Sequence, residues 1–489
     1  FAFYGLLKYP YGLDYHPDAL VHYRRRLNEQ YLTIENLNRV YGTSYQDFSL
    51  VEPPRAFLAE RLDNLVAYLD WTEFRQWGER FAAETIGSIL TSRKISGIPL
   101  FYRITGYGLS VSRIPEKENN VRIEVRESAG SRSTYFEIRR YCRAVAGSGG
   151  PSYCPAFGGG VPANLSAGKV PAAEDEELMA LAAMMFGLKG WNLPLAVEGD
   201  WSTAAPVRRD ARIREEYYDP WSRIYRLLRE VRFGEFRRVT EIVMIASRTV
   251  ENLLTASRQA KTAPGLLFDG SLFDEIVDFG FQSGLQACLN WAEQAKGIME
   301  EVGFDWDYGY TGPGVDMPAN CRVLLLPSLD FFYPEDLDSL QAFTARGGAL
   351  IFGPGVPRLD SRMRSNRGVS DFFSTAVEYN KIAESERTFA GKLIRLESPL
   401  NLGDLLKSLE VSLPFTRANP VFDLTLHASA DGRRLLFAAN KEATPQRTDI
   451  FFQGRLRFRD LLSGGNFSGE GKFRIELPPK MIGVWEVSA

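Results

Sequence analysis

The residues of this chain that could do chemistry gather in one stretch, 151–201. Its second half closes Trp191-Asn192-Leu193-Pro194-Leu195-Ala196-Val197-Glu198-Gly199-Asp200-Trp201. Two carboxylates and an indole suit a polyhydroxylated ligand. A carboxylate accepts hydroxyl protons, and an indole packs on the apolar C–H face of a sugar while its N–H reaches a hydroxyl. Trp201 is the leading binding residue, with core packing as the competing assignment. Glu198 and Asn192 accompany it, and Trp191 is weaker. Asp200 stands beside Glu198. The first half reads Pro151-Ser152-Tyr153-Cys154-Pro155-Ala156-Phe157-Gly158-Gly159-Gly160 and carries no carboxylate.

Both halves are short apolar runs that end in glycine and polar residues, as buried parallel strands do where they meet a loop. Between them, Glu174 to Met185 is acidic at the front and rich in Ala, Leu and Met behind, which predicts a helix. Strand, helix and strand make a βαβ unit. In a barrel of such units, catalytic groups sit at the carboxyl ends of the strands.

These runs resemble the seventh and eighth barrel strands of glycoside hydrolase family 42, the β-galactosidases. There the first run reads roughly Tyr-Ala-Pro-Glu-Phe-Gly-Cys-Gly, and its Glu is the nucleophile. In this chain Ala156 stands at that position. A second resemblance lies in Leu37-Asn38-Arg39-Val40-Tyr41-Gly42-Thr43-Ser44-Tyr45, followed by Val51-Glu52-Pro53-Pro54-Arg55. It is similar to the family's Leu-Asn-x-x-Trp-Gly-Thr-x-Tyr and Pro-Pro elements. In the family an Asn-Glu pair with the general acid/base comes shortly before; no such pair precedes His16, so the matching position falls upstream of Phe1. Tyr102 and Arg103 end a strand expected over Ile98 to Thr105, where the family tends to place Asn at the Arg103 position. The resemblance implies retaining hydrolysis of terminal β-galactosides, a carbohydrate partner, a homo-oligomer of trimer type, a cytoplasmic location and no cofactor or metal. With Ala156 in the nucleophile position, the chain is expected to be inactive as it stands. A non-catalytic carbohydrate-binding relative and an assembly scaffold are the alternatives.

The elements that must position these residues follow in chain order. His16-Pro17-Asp18 starts a helix that carries Leu20, Tyr23, Leu27 and Tyr31 on one face. Thr33 to Tyr41 is a second helix, and Arg61 to Ser92 a long third. Val121 to Val125 reads as a strand, Tyr135 to Ala146 and Arg208 to Arg232 as helices. Only about four barrel-type strands fall before residue 232, where a closed barrel has eight, so the rest of the barrel is expected outside this chain. Residues 1–232 are thus the C-terminal part of a (β/α)8 barrel. Residues 233–402 alternate strands and helices, as an open parallel sheet does. The resemblance implies an amidotransferase-like α/β domain there, of the trimerisation type. Gly353-Pro354-Gly355 is a strand-end turn, since the Lys-Ser/Thr of a phosphate loop is missing. Residues 403–489 contain short strands at Val421 to Ala428, Arg434 to Asn440, Arg447 to Gln453, Lys472 to Leu477 and Met481 to Val487, a small antiparallel sandwich.

Composition sets the bounds. The chain has 489 residues, 45% hydrophobic and 24% charged, enough for about three domains with real cores. A net charge of −3 gives no electrostatic case for nucleic acid or an anionic membrane. The 4 cysteines lack metal-ligand spacing and read as reduced core thiols, and the 3 histidines are dispersed. Neither a transmembrane run nor a secretory signal pattern is read. Asn164-Leu165-Ser166 and Asn466-Phe467-Ser468 match the glycosylation pattern by chance.

Overall fold

The computed structural model describes residues 15–55, 61–95, 122–124, 132–146, 152–158, 160–162, 172–193, 195–200, 202–259, 284–312, 315, 317–379 and 391–489. The strand expected over 98–105, with Tyr102 and Arg103, lies outside them, as does Trp201. In chain order the elements begin with α1 (Pro17–Tyr31), α2 (Ile34–Tyr41), α3 (Leu65–Ser92), β1 (Arg122–Glu124) and α4 (Arg132–Ala146). Then come β2 (Tyr153–Ala156), β3 (Val161–Pro162), α5 (Ala173–Met185), β4 (Gly190–Trp191), β5 (Ser202–Thr203), α6 (Glu215–Val231) and β6 (Phe236–Arg238). They continue with β7 (Ile242–Ile245), α7 (Arg248–Gln259), α8 (Leu285–Val302), β8 (Trp306–Gly309), β9 (Val323–Ser328), α9 (Leu337–Ala345), β10 (Ala349–Pro354), α10 (Arg367–Ser374), β11 (Val377–Glu378), β12 (Leu393–Arg395) and α11 (Leu402–Ser408). The last are β13 (Thr416–Arg417), β14 (Phe422–Ser429), β15 (Arg434–Asn440), β16 (Gln446–Asp460), β17 (Asn466–Leu477) and β18 (Ile482–Ser488).

Contacts divide the chain into two compact units. One comprises 1–115, 243–296 and 309–409; the other comprises 116–242, 297–308 and 410–489.

In the first unit, α1 starts where Pro17 fills the first turn and His16 Nδ1 accepts the Asp18 N–H at 3.3 Å. It buries Leu20, Tyr23, Leu27 and Tyr31. Thr33 caps α2 by accepting the Asn36 N–H at 3.3 Å, and Gly42 ends it at φ 68°. Asn38 then pins the following turn. Its Oδ1 accepts from Tyr45 N–H at 2.8 Å and Thr43 Oγ1 at 2.9 Å, and its Nδ2 donates to Tyr45 O at 2.7 Å. The family-like Asn-to-Tyr motif is therefore a staple for the chain. The three helices share a core in which Tyr23 meets Trp71 edge-on at 4.9 Å. Buried Asp70, on α3, accepts from Tyr31 at 2.5 Å, Tyr41 at 2.7 Å and Gln30 at 2.9 Å. Burial, then the Glu73 charge, raise its carboxyl to about 6.

In the same unit β11, β12, β10, β9 and β7 lie side by side in that order, and β10 is parallel to both β9 and β12. All six residues of β9 are buried, as expected for a parallel strand covered on both faces. Gly353 and Pro354, read from the sequence as part of a turn, belong to β10 and pair with Pro327 and Ser328 of β9; the chain leaves the strand at Gly355, where a Cβ would come within 2.8 Å of Ser328 O.

In the second unit β1, β2 and β4 form a parallel sheet, consistent with the partial barrel expected from the sequence. Helix α5 follows β2 and returns the chain to β4, which completes the expected βαβ unit. The C-terminal strands make one antiparallel sheet in the order β13-β16-β18-β15-β14-β6, with β17 on β16. Two departures stand out. The charged connector before residue 239 supplies a strand, β6, paired with β14. And β16 and β17 are longer than expected, 15 and 12 residues: β16 runs on past the register shift to add inward Leu456 and Phe458 to Ile450 and Phe452, and β17 pairs along it, with its buried Phe473, Ile475 and Leu477 in its second half. Asn466 of the glycosylation pattern opens β17.

Candidate functional site

The site is built on adjacent strand ends in the second unit. Tyr153 and Cys154 of β2 pair with Gly190 and Trp191 of β4. Asn192 N–H donates to Cys154 O at 2.8 Å, and Asn192 O accepts from Phe157 N–H at 3.0 Å. The backbone thus clamps Asn192 beside Ala156 and Phe157, at the carboxyl ends of two parallel strands. On the other side of β2, Glu124 of β1 stands opposite Ala156 in the register. Sequence reading missed Glu124; its one signal was a carboxylate within the expected strand.

Aromatic rings pack against this edge. Phe157 stacks on Trp191 with centroids 5.3 Å apart, and Trp221 of α6 meets Phe157 edge-on at 6.2 Å. The indole N–H of Trp221 donates to Glu176 of α5 at 2.6 Å, both groups buried. Sequence reading gave Trp221 only as a helix residue and passed over Glu176, since nothing in the local pattern pairs residues 45 apart. Trp191 is buried here. Gly158, at φ 50°, lies where a Cβ would sit 3.2 Å from the Trp221 ring, so the loop after β2 is held tight to α6.

The two carboxylates after β4 are engaged. Both Glu198 oxygens accept from one Arg214 nitrogen at 3.1 Å, with each side chain 20% exposed. Asp200 pairs with Arg209 at the surface. The Glu198 N–H donates to Val207 O at 2.8 Å, which ties this loop to the chain before α6. A carboxylate held by a guanidinium is oriented by it and has its acceptor oxygens occupied. That makes Glu198 a poorer surrogate nucleophile than its sequence position alone implied. Trp201, the leading sequence candidate, lies outside the described residues.

At the opposite, amino end of β4, Lys189 is unusual. Its Nζ is buried, has no hydrogen-bond partner among the described residues and sits 4.2 Å from the centre of the Phe233 ring. Burial, with the charges of Arg237 and Arg238, lowers its ammonium to about 7. Nearby His427 is fully buried, donates from Nε2 to Met185 O at 3.0 Å, and is held neutral by burial and the Lys189 and Arg238 charges. Among the described residues no cluster of three His, Cys, Asp or Glu is placed to hold a metal ion. The four cysteines are buried. No described helix is long and apolar enough to cross a membrane.

Comparison with known proteins gives a consistent result. Residues 10–94 match the sequence profile of the glycoside hydrolase family 42 described as β-galactosidase. A curated relative, the exo-β-D-glucosaminidase of Thermococcus kodakarensis, is 24% identical over 391 residues, covering 73% of this chain and 46% of the relative. The chain therefore spans about half the length of that relative. The β-galactosidase of Bacillus circulans sp. alkalophilus superposes with a TM-score of 0.71 at 13% identity, over 98% of this chain and 78% of that one. A catalytic mutant of Gan42B, a β-galactosidase of G. stearothermophilus, gives 0.68 at 12% identity, over 95% and 75%. The structural likenesses establish the fold, and the matched segment carries the Asn38 staple. By the profile over residues 10–94 and by the fold, this chain is similar to the family 42 glycoside hydrolases, the β-galactosidases.

Proposed function

We propose that the chain carries the sugar-holding side of a retaining glycosidase site for terminal β-galactosides, with Ala156 in place of the nucleophile. The observation that supports this is the clamp between β2 and β4, which sets Ala156 and Asn192 side by side at carboxyl strand ends, where barrel enzymes keep their chemistry. A retaining glycosidase needs two carboxyl groups about 5 Å apart, one to attack the anomeric carbon and one to protonate the leaving oxygen. A methyl group cannot form the glycosyl-enzyme bond, so turnover of an unactivated galactoside is not expected. Glu198, Asn192 and Trp201 serve as substrate contacts in this reading, with Glu198 oriented by Arg214. Glu124, opposite Ala156 in the register, is the carboxylate-bearing residue to test for any residual reaction. The three-part division at 232 and 402, a trimeric assembly and a cytoplasmic location belong to the same proposal.

The test is hydrolysis of an activated aryl β-galactoside with and without azide. Azide attacks the anomeric carbon from the side a Glu at 156 would use, the aryloxide leaves, and an α-galactosyl azide forms. Such a leaving group departs without a general acid, so a missing acid/base does not block the reaction. A second reading, cleavage at a β-glucosaminide, is favoured by the curated relative, whose name is that of a glucosaminidase. An aryl β-glucosaminide run in parallel decides between them.

A further inference from the structure

Lys189 lies on the amino side of β4, at the other end of the strand from the proposed sugar site, and the glycosidase reading gives it no task. Its neighbours form a buried cluster. His427 of β14 stands directly opposite Arg238 of β6 in the strand register, so the two side chains share a face, with Cβ atoms about 5 Å apart. The Phe233 ring joins this pair to the lysine. Its centre is 4.2 Å from Lys189 Nζ and 5.5 Å from the centre of the His427 ring. Arg238 Nε lies 3.9 Å from the point where a Cβ on Gly187 would sit, two residues before the lysine.

Three nitrogens of this cluster are shut off from solvent without a hydrogen-bond partner among the described residues: Lys189 Nζ, His427 Nδ1 and Arg238 Nε. Buried polar atoms are seldom left so. Their needs are complementary. His427 Nε2 donates to the Met185 carbonyl, so Nδ1 carries a lone pair and needs a donor. Arg238 Nε carries a proton and needs an acceptor. Positive charge is also in excess. Arg143 and Arg238 are balanced by Asp305 and Asp307. Lys189 and the exposed Arg237, whose guanidinium bonds carbonyl oxygens, have no counter-ion among the described residues.

We infer that Lys189 is an acceptor for carbon dioxide and carries a carbamate whose N–H serves His427 Nδ1 and whose carboxylate serves Arg238 Nε. The one added group supplies a donor, an acceptor and negative charge, the three things that the cluster lacks. In the step, the lone pair of the neutral amine attacks the carbon of carbon dioxide. The N–C bond forms as one C–O π bond moves onto oxygen, and the nitrogen gives one proton to solvent water. Nothing is oxidised or reduced. Burial and the two arginines keep part of the amine unprotonated near neutral pH, where an ordinary lysine is an ammonium ion. A bridging water would meet the same nitrogens but bring no charge. In buffer free of carbon dioxide the amine stays unmodified. None of the residues assigned to the sugar takes part, so the inference goes beyond the glycosidase reading and does not depend on it.

Incubation of the whole chain with carbon-13 bicarbonate at pH 8, methylation of any carbamate with trimethyloxonium ion, and mass mapping of peptides test it. The expected result is a labelled methoxycarbonyl group on Lys189, with at least tenfold less on every other lysine. The mapping uses the parent chain alone, so it stands whether or not a variant folds. Urea unfolding gives a second readout. Bicarbonate should raise the midpoint of the parent and leave that of Lys189→Met in place, while chloride at the same ionic strength should raise neither. An unlabelled Lys189, or label spread evenly over the lysines, would overturn the assignment. So would a shift that chloride reproduces, which would make the cluster a plain anion site, or no shift, which would leave it to water. Sugar turnover is not read here, so failure of this test leaves the azide experiment untouched, and the reverse holds too.

Discussion

Replacing Lys189 by methionine should stabilise the protein, most at low pH. The side chain reaches a buried spot over Phe233 where its Nζ finds no acceptor, and Arg237 and Arg238 add like charge. A fall in its pKa from 10.5 to about 7 corresponds to roughly 4–5 kcal/mol against the charged form. The stem is partly exposed, so water relieves some of this, and the contact with the ring is lost in the variant. A net gain of about 2–3 kcal/mol at pH 6 is the expectation. Methionine keeps the stem length and removes only the charge. The sign of the pH dependence follows from linkage. Between pH 7 and 10.5 the unfolded chain holds the proton and the folded chain does not, so the parent gains stability as pH rises. The variant lacks that gain, and the difference between the two shrinks towards pH 9–10. Urea unfolding of both proteins at pH 6, 7.5 and 9, followed by tryptophan fluorescence and circular dichroism, measures it. A difference below about 0.5 kcal/mol at pH 6, or one that does not change with pH, would refute the account of Lys189.

Other expectations rest on single groups. Asp70, raised to about 6, should make the parent more stable at pH 5 than at pH 7.5, since protonation favours the fold below that value and is lost above it; Asp70→Asn should flatten this in urea titrations. Asn38→Ala removes three hydrogen bonds that hold the turn before Tyr45 and should cost about 1–3 kcal/mol, read from the shift of the urea midpoint. Trp221→Phe leaves the buried Glu176 without its indole donor and should cost about 2–3 kcal/mol, read from the shift of the urea midpoint.

Much of the architecture was legible because it rests on local pattern. The caps at His16-Pro17 and Thr33, the glycine after Tyr41 and the apolar run of β9 each signal their element within a few residues. The strand β6 was hidden, because alternation over three residues in an arginine-rich connector is too short to distinguish from charge alone. The hairpin of β16 and β17 was cut short for a related reason. Gly454, with φ 73°, interrupts the pattern where the register shifts, and reads as a turn although the strand continues through it. At the site, the βαβ frame around Ala156 was readable. The partners brought to it by packing and strand pairing were not. Arg214 lies 16 residues beyond Glu198, Glu176 lies 45 before Trp221, and Glu124 meets Ala156 only through strand pairing. Spacings of that size are fixed by the packing of elements, which residue order alone does not reveal.

The central claim is that Ala156 occupies the place of a nucleophile in a surviving sugar site. Turnover of an aryl β-galactoside in the presence and absence of azide tests it most directly. The account predicts no release of the aryl group without azide, and release with formation of an α-galactosyl azide when azide is present. Turnover without azide that disappears in Glu124→Gln or Glu198→Gln would contradict it, because another carboxylate would then carry the reaction.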